Sequence, residues 1–218
     1  MDVSNPDRRV GQSSFFIVGG TPFVNEKYVQ VVDGSPYFKD EWMKAILINE
    51  ANQEFKDISA KLDLITGEVH YLDANGNRFV ATTPIKQVIL TDATGNNYKF
   101  IHSSILPIAS NKISEGWYLW LVSGTASLYK YFSKSVSEIK PYGSATAEQR
   151  IKTSEVYYVR YSNAYLEIKK LKDAPSVLAN KKSEIEEYLK KKDDKNTSAD
   201  DRFTDLITFY NSLFQQQK

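Results

Sequence analysis

Residues 55–100 alternate apolar and polar side chains in short runs separated by tight-turn residues, and this rhythm limits the fold more than any other feature of the chain. Asp73-Ala74-Asn75-Gly76-Asn77 interrupts the alternation of Leu62–Val80. An Asn-Gly pair in that setting predicts a hairpin with a type I′ turn, whose two central residues both need positive φ. Ala45–Ile48, Phe55–Ile58, Lys61–Ile65, Glu68–Leu72, Arg78–Ala81, Ile85–Thr91 and Tyr98–His102 read as the strands of an antiparallel meander, with Thr66-Gly67 and Thr94-Gly95-Asn96 as further turns. Strands of about five residues joined by two-to-five-residue turns have the usual dimensions of such a sheet.

A second set of hairpins follows. Gly116–Val122 leads through Ser123-Gly124 into Ser127–Phe132, and Val156–Tyr161 leads through Ser162-Asn163 into Tyr165–Leu171. Between them, Pro141–Thr153 is rich in small polar residues and reads as the longest loop. Trp117–Val122 is apolar on both faces, and Val156–Tyr161 nearly so, which predicts that both faces of these strands are covered. At the C-terminal end two helices are expected, over about 175–192 and 200–214. Pro175 sits in the first turn of one, and Ser198 and Asp201 stand at capping-box spacing before the other. Phe203, Leu206, Ile207, Tyr210, Leu213 and Phe214 form an apolar stripe on the second helix that must be buried. The expected fold is therefore mainly β (α+β). An antiparallel meander forms a sandwich or partly open barrel with two C-terminal helices packed on it, as a single β-rich domain over 15–218 after a flexible arm at 1–14.

Upstream of the meander, Gly20-Thr21-Pro22-Phe23 and Gly34-Ser35-Pro36-Tyr37-Phe38 each break the backbone and then place a ring. They are separated by the β-like run Tyr28–Val32 and read as anchors that pin an N-terminal strand against the core; before them, Phe15–Val18 reads as a short strand or a docked extended segment.

Composition removes several function classes. The 28 basic and 27 acidic side chains leave a net charge of +1, so no global field favours nucleic acid or an anionic membrane. The chain has no cysteine, which excludes disulfides, thiolate metal sites and cysteine nucleophiles. No run is long and apolar enough for a membrane span, and Arg8-Arg9 precedes too few apolar residues for a signal peptide.

Few residues suggest chemistry. Asp73, Asn75 and Asn77 supply oxygens at alternate positions, as a calcium loop would, but Gly76 and the absence of a following Glu do not fit that pattern, and a hairpin explains them. His70 and His102 lie in predicted strands; a zinc site there would need carboxylate help such as Glu68, and half-buried strand histidines explain them without a metal. Glu186-Glu187 and Asp193-Asp194 read as solvated helix surface. The sequence contains no nucleophile elbow, phosphate-binding glycine loop or dinucleotide fingerprint. No catalytic residue, metal ligand or cofactor is assigned. The later strands are rich in rings, whose flat apolar faces and polar edges suit sugars, peptides and apolar ligands. Trp117, Trp120, Tyr157 and Tyr161, with Tyr142 on the long loop, are the candidate binding residues; the same rings also fit a β-sheet core.

Gly34-Ser35-Pro36-Tyr37-Phe38 followed by Trp42, then Lys61–Glu68, resembles a family of uncharacterised exported β-rich bacterial proteins of the Bacteroidetes type. The endings Lys181–Tyr188 and Asp205–Leu213 are similar to the two-helix tail of those proteins. The resemblance implies a periplasmic or extracellular setting with the leader removed, beside a cytoplasmic reading that the sequence leaves open, and it transfers no activity. The expected function is a non-enzymatic binding or interaction module of the cell envelope. Its partner would be a small apolar or carbohydrate ligand, or a protein. Two alternatives stand beside it, a carboxylate-based hydrolase acting on a carbohydrate and an assembly module that uses a sheet edge.

Overall fold

The computed structural model describes residues 19–23, 28, 30–107, 109, 113–140, 142–143, 145–191 and 197–214. The arm expected at 1–14 and the strand expected at Phe15–Val18 lie outside them. The fold is β-rich α+β with mostly antiparallel strands and helices near the C-terminus, as the periodicity predicts. Its contacts group into two compact units, residues 19–98 with 134–152 and residues 99–133 with 153–214.

In the first unit, strands β1 (Gly20–Pro22), β3 (Met43–Asn49), β4 (Glu54–Leu62), β5 (Val69–Leu72), β6 (Arg78–Ala81) and β7 (Ile85–Thr91) are ordered β1-β6-β5-β4-β3-β7, all antiparallel. The short β2 (Val31–Asp33) pairs in parallel with Gln149 and Arg150. Every second residue of β3 (Met43, Ala45, Leu47 and Asn49) is buried, and Phe55, Ala60, Leu62, Val69, Tyr71, Val88 and Leu90 complete the core. The period of two thus sets which face is apolar.

The turn after β5 departs from the expected geometry. Gly76 alone has positive φ (82°), its N–H donates to Asp73 O, and Asp73 N–H donates to Asn77 O. This is a longer connection closed by a left-handed glycine rather than a type I′ turn. The cause is Asp73, whose Oδ1 accepts the N–H groups of Asn75 and Asn77 at 2.8 and 2.7 Å. Asp92-Ala93-Thr94-Gly95-Asn96 repeats the arrangement, with Gly95 at φ 87°. The type I′ geometry occurs instead at Ser162-Asn163, where both residues have positive φ (47° and 64°).

In the second unit the order is β8-β9-β10-β11-β12, formed by the later residues of β8 (Asn97–His102), by β9 (Trp117–Val122), by parts of β10 (Ser127–Ile139) and β11 (Glu148–Tyr161), and by β12 (Ala164–Ile168). Strands β10 and β11 are longer than predicted and continue into the first unit, so Glu148–Thr153 is strand rather than loop. Among the described residues β1 and β7 do not pair with each other, nor do β8 and β12.

Both faces of β9–β12 are covered, as their apolar composition requires. On one face Leu128, Tyr157, Val159 and Ile168 pack against Leu178, Ile185, Phe203, Leu206, Ile207 and Tyr210. The expected helix over 175–192 is interrupted: α1 (Ala174–Val177) ends where Leu178 leaves helical geometry (φ −111°, ψ 51°) with its side chain fully buried, and α2 (Lys182–Lys191) follows a 3-10 turn. Helix α3 (Ala199–Ser212) starts as predicted, with Ser198 Oγ accepting Asp201 N–H at 3.1 Å. Asn211 ties α3 to the β9–β10 turn by accepting Ala126 N–H (2.8 Å) and donating to Ala126 O (2.9 Å). Below α3, the buried Lys130 ammonium contacts Asp200 and Glu155, each at 2.9 Å, and Tyr157 donates to Asp200. On the other face Ile101, Tyr118, Tyr129 and Tyr165 pack with Leu106 and Ile113 of the β8–β9 connection. The tyrosine hydroxyls hold that connection in place: Tyr165 donates to Pro107 O (3.0 Å) and Tyr118 to Ser114 O (2.8 Å).

Candidate functional site

The five rings singled out from the sequence have different surroundings. Trp117 and Tyr157 are buried, Trp117 edge-on to His102 and Tyr157 against Phe203. Tyr161 is half-buried and edge-on to Tyr210. Trp120 is half-buried; its indole N–H donates to Val122 O, and the Lys99 ammonium lies 4.1 Å from its ring centre. Trp120 borders a shallow recess of about 190 Å³ with Lys99, Leu121, Val122 and Ser123. Tyr142, in the first unit, is fully exposed. None of the other four rings lines the recess beside Trp120.

A larger cleft, about 350 Å³, lies in the first unit, and both Gly-x-Pro-aromatic segments contribute to it. The first enters as β1, whose Thr21 and Pro22 pair with Val80 and Phe79 of β6, and Phe23 N–H then donates to Arg78 O. In the second, Gly34 has φ 78°, and a Cβ there would lie 2.0 Å from Ile151 O, so no other residue fits. Pro36 O accepts Leu64 N–H and Phe38 N–H donates to Leu62 O, which fixes the segment along the end of β4. The two segments deliver Phe23 and Tyr37 to the same imidazole: their ring centres lie 4.7 and 5.5 Å from that of His70.

The polar groups of the cleft are arranged around these rings. Lys61 bonds Asp40 at 2.5 Å, and its ammonium lies 4.9 Å from the Tyr37 ring centre and 5.1 Å from that of Trp42. Tyr37 and Trp42 are both half-buried, and the Asp40 side chain is 61% exposed, so this ion pair faces the cleft opening. Arg78 adds a second cation; among the described residues no carboxylate pairs with it. Tyr28 also lines the cleft, and burial, followed by the charges of Asp63 and Glu68, pushes its phenol up to about 12.

His70 forms the cleft floor. It is buried, with Nδ1 3.1 Å from the Tyr37 hydroxyl and Nε2 3.3 Å from Glu68 Oε2. Asp63 stands beside them and is 1% exposed; its Oδ1 accepts the N–H groups of Ile65 and Thr66 at 2.8 and 3.0 Å. Of the two histidines weighed from the sequence, His70 has Glu68 beside it, whereas His102 lies in the second unit, 2.9 Å from Ser104 Oγ.

Sequence reasoning missed Tyr28, Tyr37, Asp40, Trp42, Lys61 and Arg78 as a group. The available signal was the pair of Gly-x-Pro-aromatic segments, which anchors the chain and also supplies the cleft with rings. No family model matches the sequence, and no curated protein or solved structure is similar enough to match it.

Proposed function

We propose that this chain is a non-enzymatic binding module whose ligand, a sugar-sized ring compound, enters the Tyr37–Trp42 cleft. One observation carries the reading. Rings from separate segments (Phe23, Tyr28, Tyr37 and Trp42) converge with the Asp40–Lys61 ion pair and Arg78 on one recess. A volume of about 350 Å³ is at the lower end of the range for small-molecule sites. Flat apolar faces beside charged hydrogen-bonding groups suit a ligand with apolar C–H faces and hydroxyl edges. The setting in the bacterial cell envelope, periplasmic or extracellular, rests on the resemblance of Gly34–Trp42 and the helical tail to exported proteins.

The hydrolase alternative needs two carboxylates facing a sugar at roughly 5–9 Å separation. An oxygen of Asp63 and one of Glu68 lie within 4.8 Å of each other, Asp63 is 1% exposed and accepts two backbone N–H groups, and Asp40 is held by Lys61. That arrangement suits binding better than proton transfer.

Calorimetric titration of the chain with a panel of neutral and acidic monosaccharides and disaccharides tests the reading. At least one panel member should bind. Trp42→Ala should weaken it about tenfold, equivalent to about 1.4 kcal/mol, and Trp120→Ala should leave it unchanged. Binding that responds to Trp120→Ala and not to Trp42→Ala contradicts the assignment.

A further inference from the structure

We propose that Asp63, Glu68 and His70 form a binding site for a divalent transition-metal ion of the zinc class, on the floor of the cleft. The Thr66-Gly67 turn brings the three together, with Asp63 N–H donating to Glu68 O at 2.9 Å across it. One donor atom from each residue lies within 4.8 Å of the other two. The His70 Nε2–Glu68 Oε2 separation of 3.3 Å is long for a charge-assisted hydrogen bond. It matches two ligands on a tetrahedral zinc at about 2.0–2.1 Å, whose donor atoms stand about 3.3–3.4 Å apart. One imidazole nitrogen with two carboxylate oxygens is a borderline donor set, and three protein ligands leave a coordination position open.

A second observation is the state of Asp63. It is 1% exposed, Oδ1 accepts two N–H groups, and among the described residues no donor reaches Oδ2 and no cation forms an ion pair with it. A buried carboxylate beside another carboxylate requires positive charge nearby. Lys134, in the same unit, is near enough for its charge to act on Asp63, but its ammonium donates to Ser35 O at 2.8 Å and forms no ion pair with that carboxylate. The imidazole is already oriented for coordination. Phe23 packs against its ring, and Tyr37 Oη stands 3.1 Å from Nδ1, ready to accept the Nδ1–H of a histidine whose Nε2 carries the metal. Such a partner on the second nitrogen is the usual outer support of a metal-bound histidine. The competing arrangement has no ion: Nε2–H donates to Glu68 and the Tyr37 hydroxyl donates to Nδ1.

Zinc chloride titrated into the full chain at neutral pH, followed by calorimetry and melting temperature, separates the two. The site predicts one ion per chain with micromolar or tighter affinity, and a melting temperature that rises with zinc as mass action requires. His70→Ala and Glu68→Gln should each weaken binding at least tenfold. Asp63→Asn, which keeps the oxygen that accepts the turn N–H groups, should weaken it as well. His102→Ala should bind as the unaltered chain does. If His70→Ala does not fold, Glu68→Gln and Asp63→Asn still decide the matter. An absence of heat and of any melting shift at about a hundredfold zinc excess overturns the proposal, as does unaltered binding by the folded variants. The site does not depend on the sugar reading, which is tested through Trp42.

Discussion

Asp92 shows how a single side chain sets a turn. Its Oδ1 accepts Thr94 N–H, Thr94 Oγ1–H and Asn96 N–H, and its Oδ2 accepts from Lys39 Nζ at 2.7 Å and Tyr98 Oη at 2.9 Å. The Lys39 ammonium first, then the Thr94 hydroxyl, holds the carboxyl far below its usual value of 3.8. Asp73 is lowered in the same direction, chiefly by Asn77. A carboxyl whose folded pKa is depressed stabilises the fold above its unfolded pKa and loses that contribution as pH falls. The melting temperature should therefore drop on acidification below about pH 4. Asp92→Asn should lower it at neutral pH and flatten the acid limb; an unchanged acid limb in a pH series of thermal melts would exclude this role. The repeated Asp-Ala-x-Gly-Asn pattern was readable in the sequence as two turns. The turn type was not, because Asn-Gly favours type I′ only when no upstream carboxylate binds the turn's N–H groups, and such bonds depend on side-chain geometry that spacing does not encode.

Among the elements, α3 was the most legible, since its capping residue and apolar stripe are both local. Phe203, Leu206, Ile207 and Tyr210 are buried against Leu128, Tyr157, Val159 and Ile168. Leu206 is fully buried, so Leu206→Ala should cost about 2–5 kcal/mol of stability. Urea denaturation followed by circular dichroism measures this, and a loss under 1 kcal/mol would mean that the helix is not integral to that unit's core. Helix α2 was less legible. Its apolar positions predict one continuous helix from Pro175, yet Leu178 turns out of it to fill the core. Strands β10 and β11 were underestimated because their outer residues are mostly polar, with Val136, Ile139 and Ile151 too widely spaced to show an alternation, a composition that sequence reading assigns to a loop. The Gly-x-Pro-aromatic segments were seen as anchors, but that both would reach His70 depends on long-range pairing with β6 and on the Tyr37–Asp63 bridge.

Considered as a molecule, the chain separates two uses of aromatic residues. In the second unit the tyrosines of β9–β12 pack on one another and hold the β8–β9 connection through their hydroxyls. In the first, rings near chain breaks surround a recess with charged groups inside it. Composition announces an aromatic-rich β protein without distinguishing these uses, because a ring in a strand interior and a ring at a cleft wall obey the same propensities. The fold class followed from periodicity; the cleft required the tertiary structure. Ligand entry at the Tyr37–Trp42 cleft can be followed by a heteronuclear NMR titration of the three tryptophan indole N–H signals, from Trp42, Trp117 and Trp120, as the sugar panel is added at millimolar concentration. Binding in the cleft moves the Trp42 signal saturably, together with the backbone amides of Lys61 and His70, while Trp117 and Trp120 stay in place. Movement confined to Trp120, or no movement with any member of the panel, would contradict it.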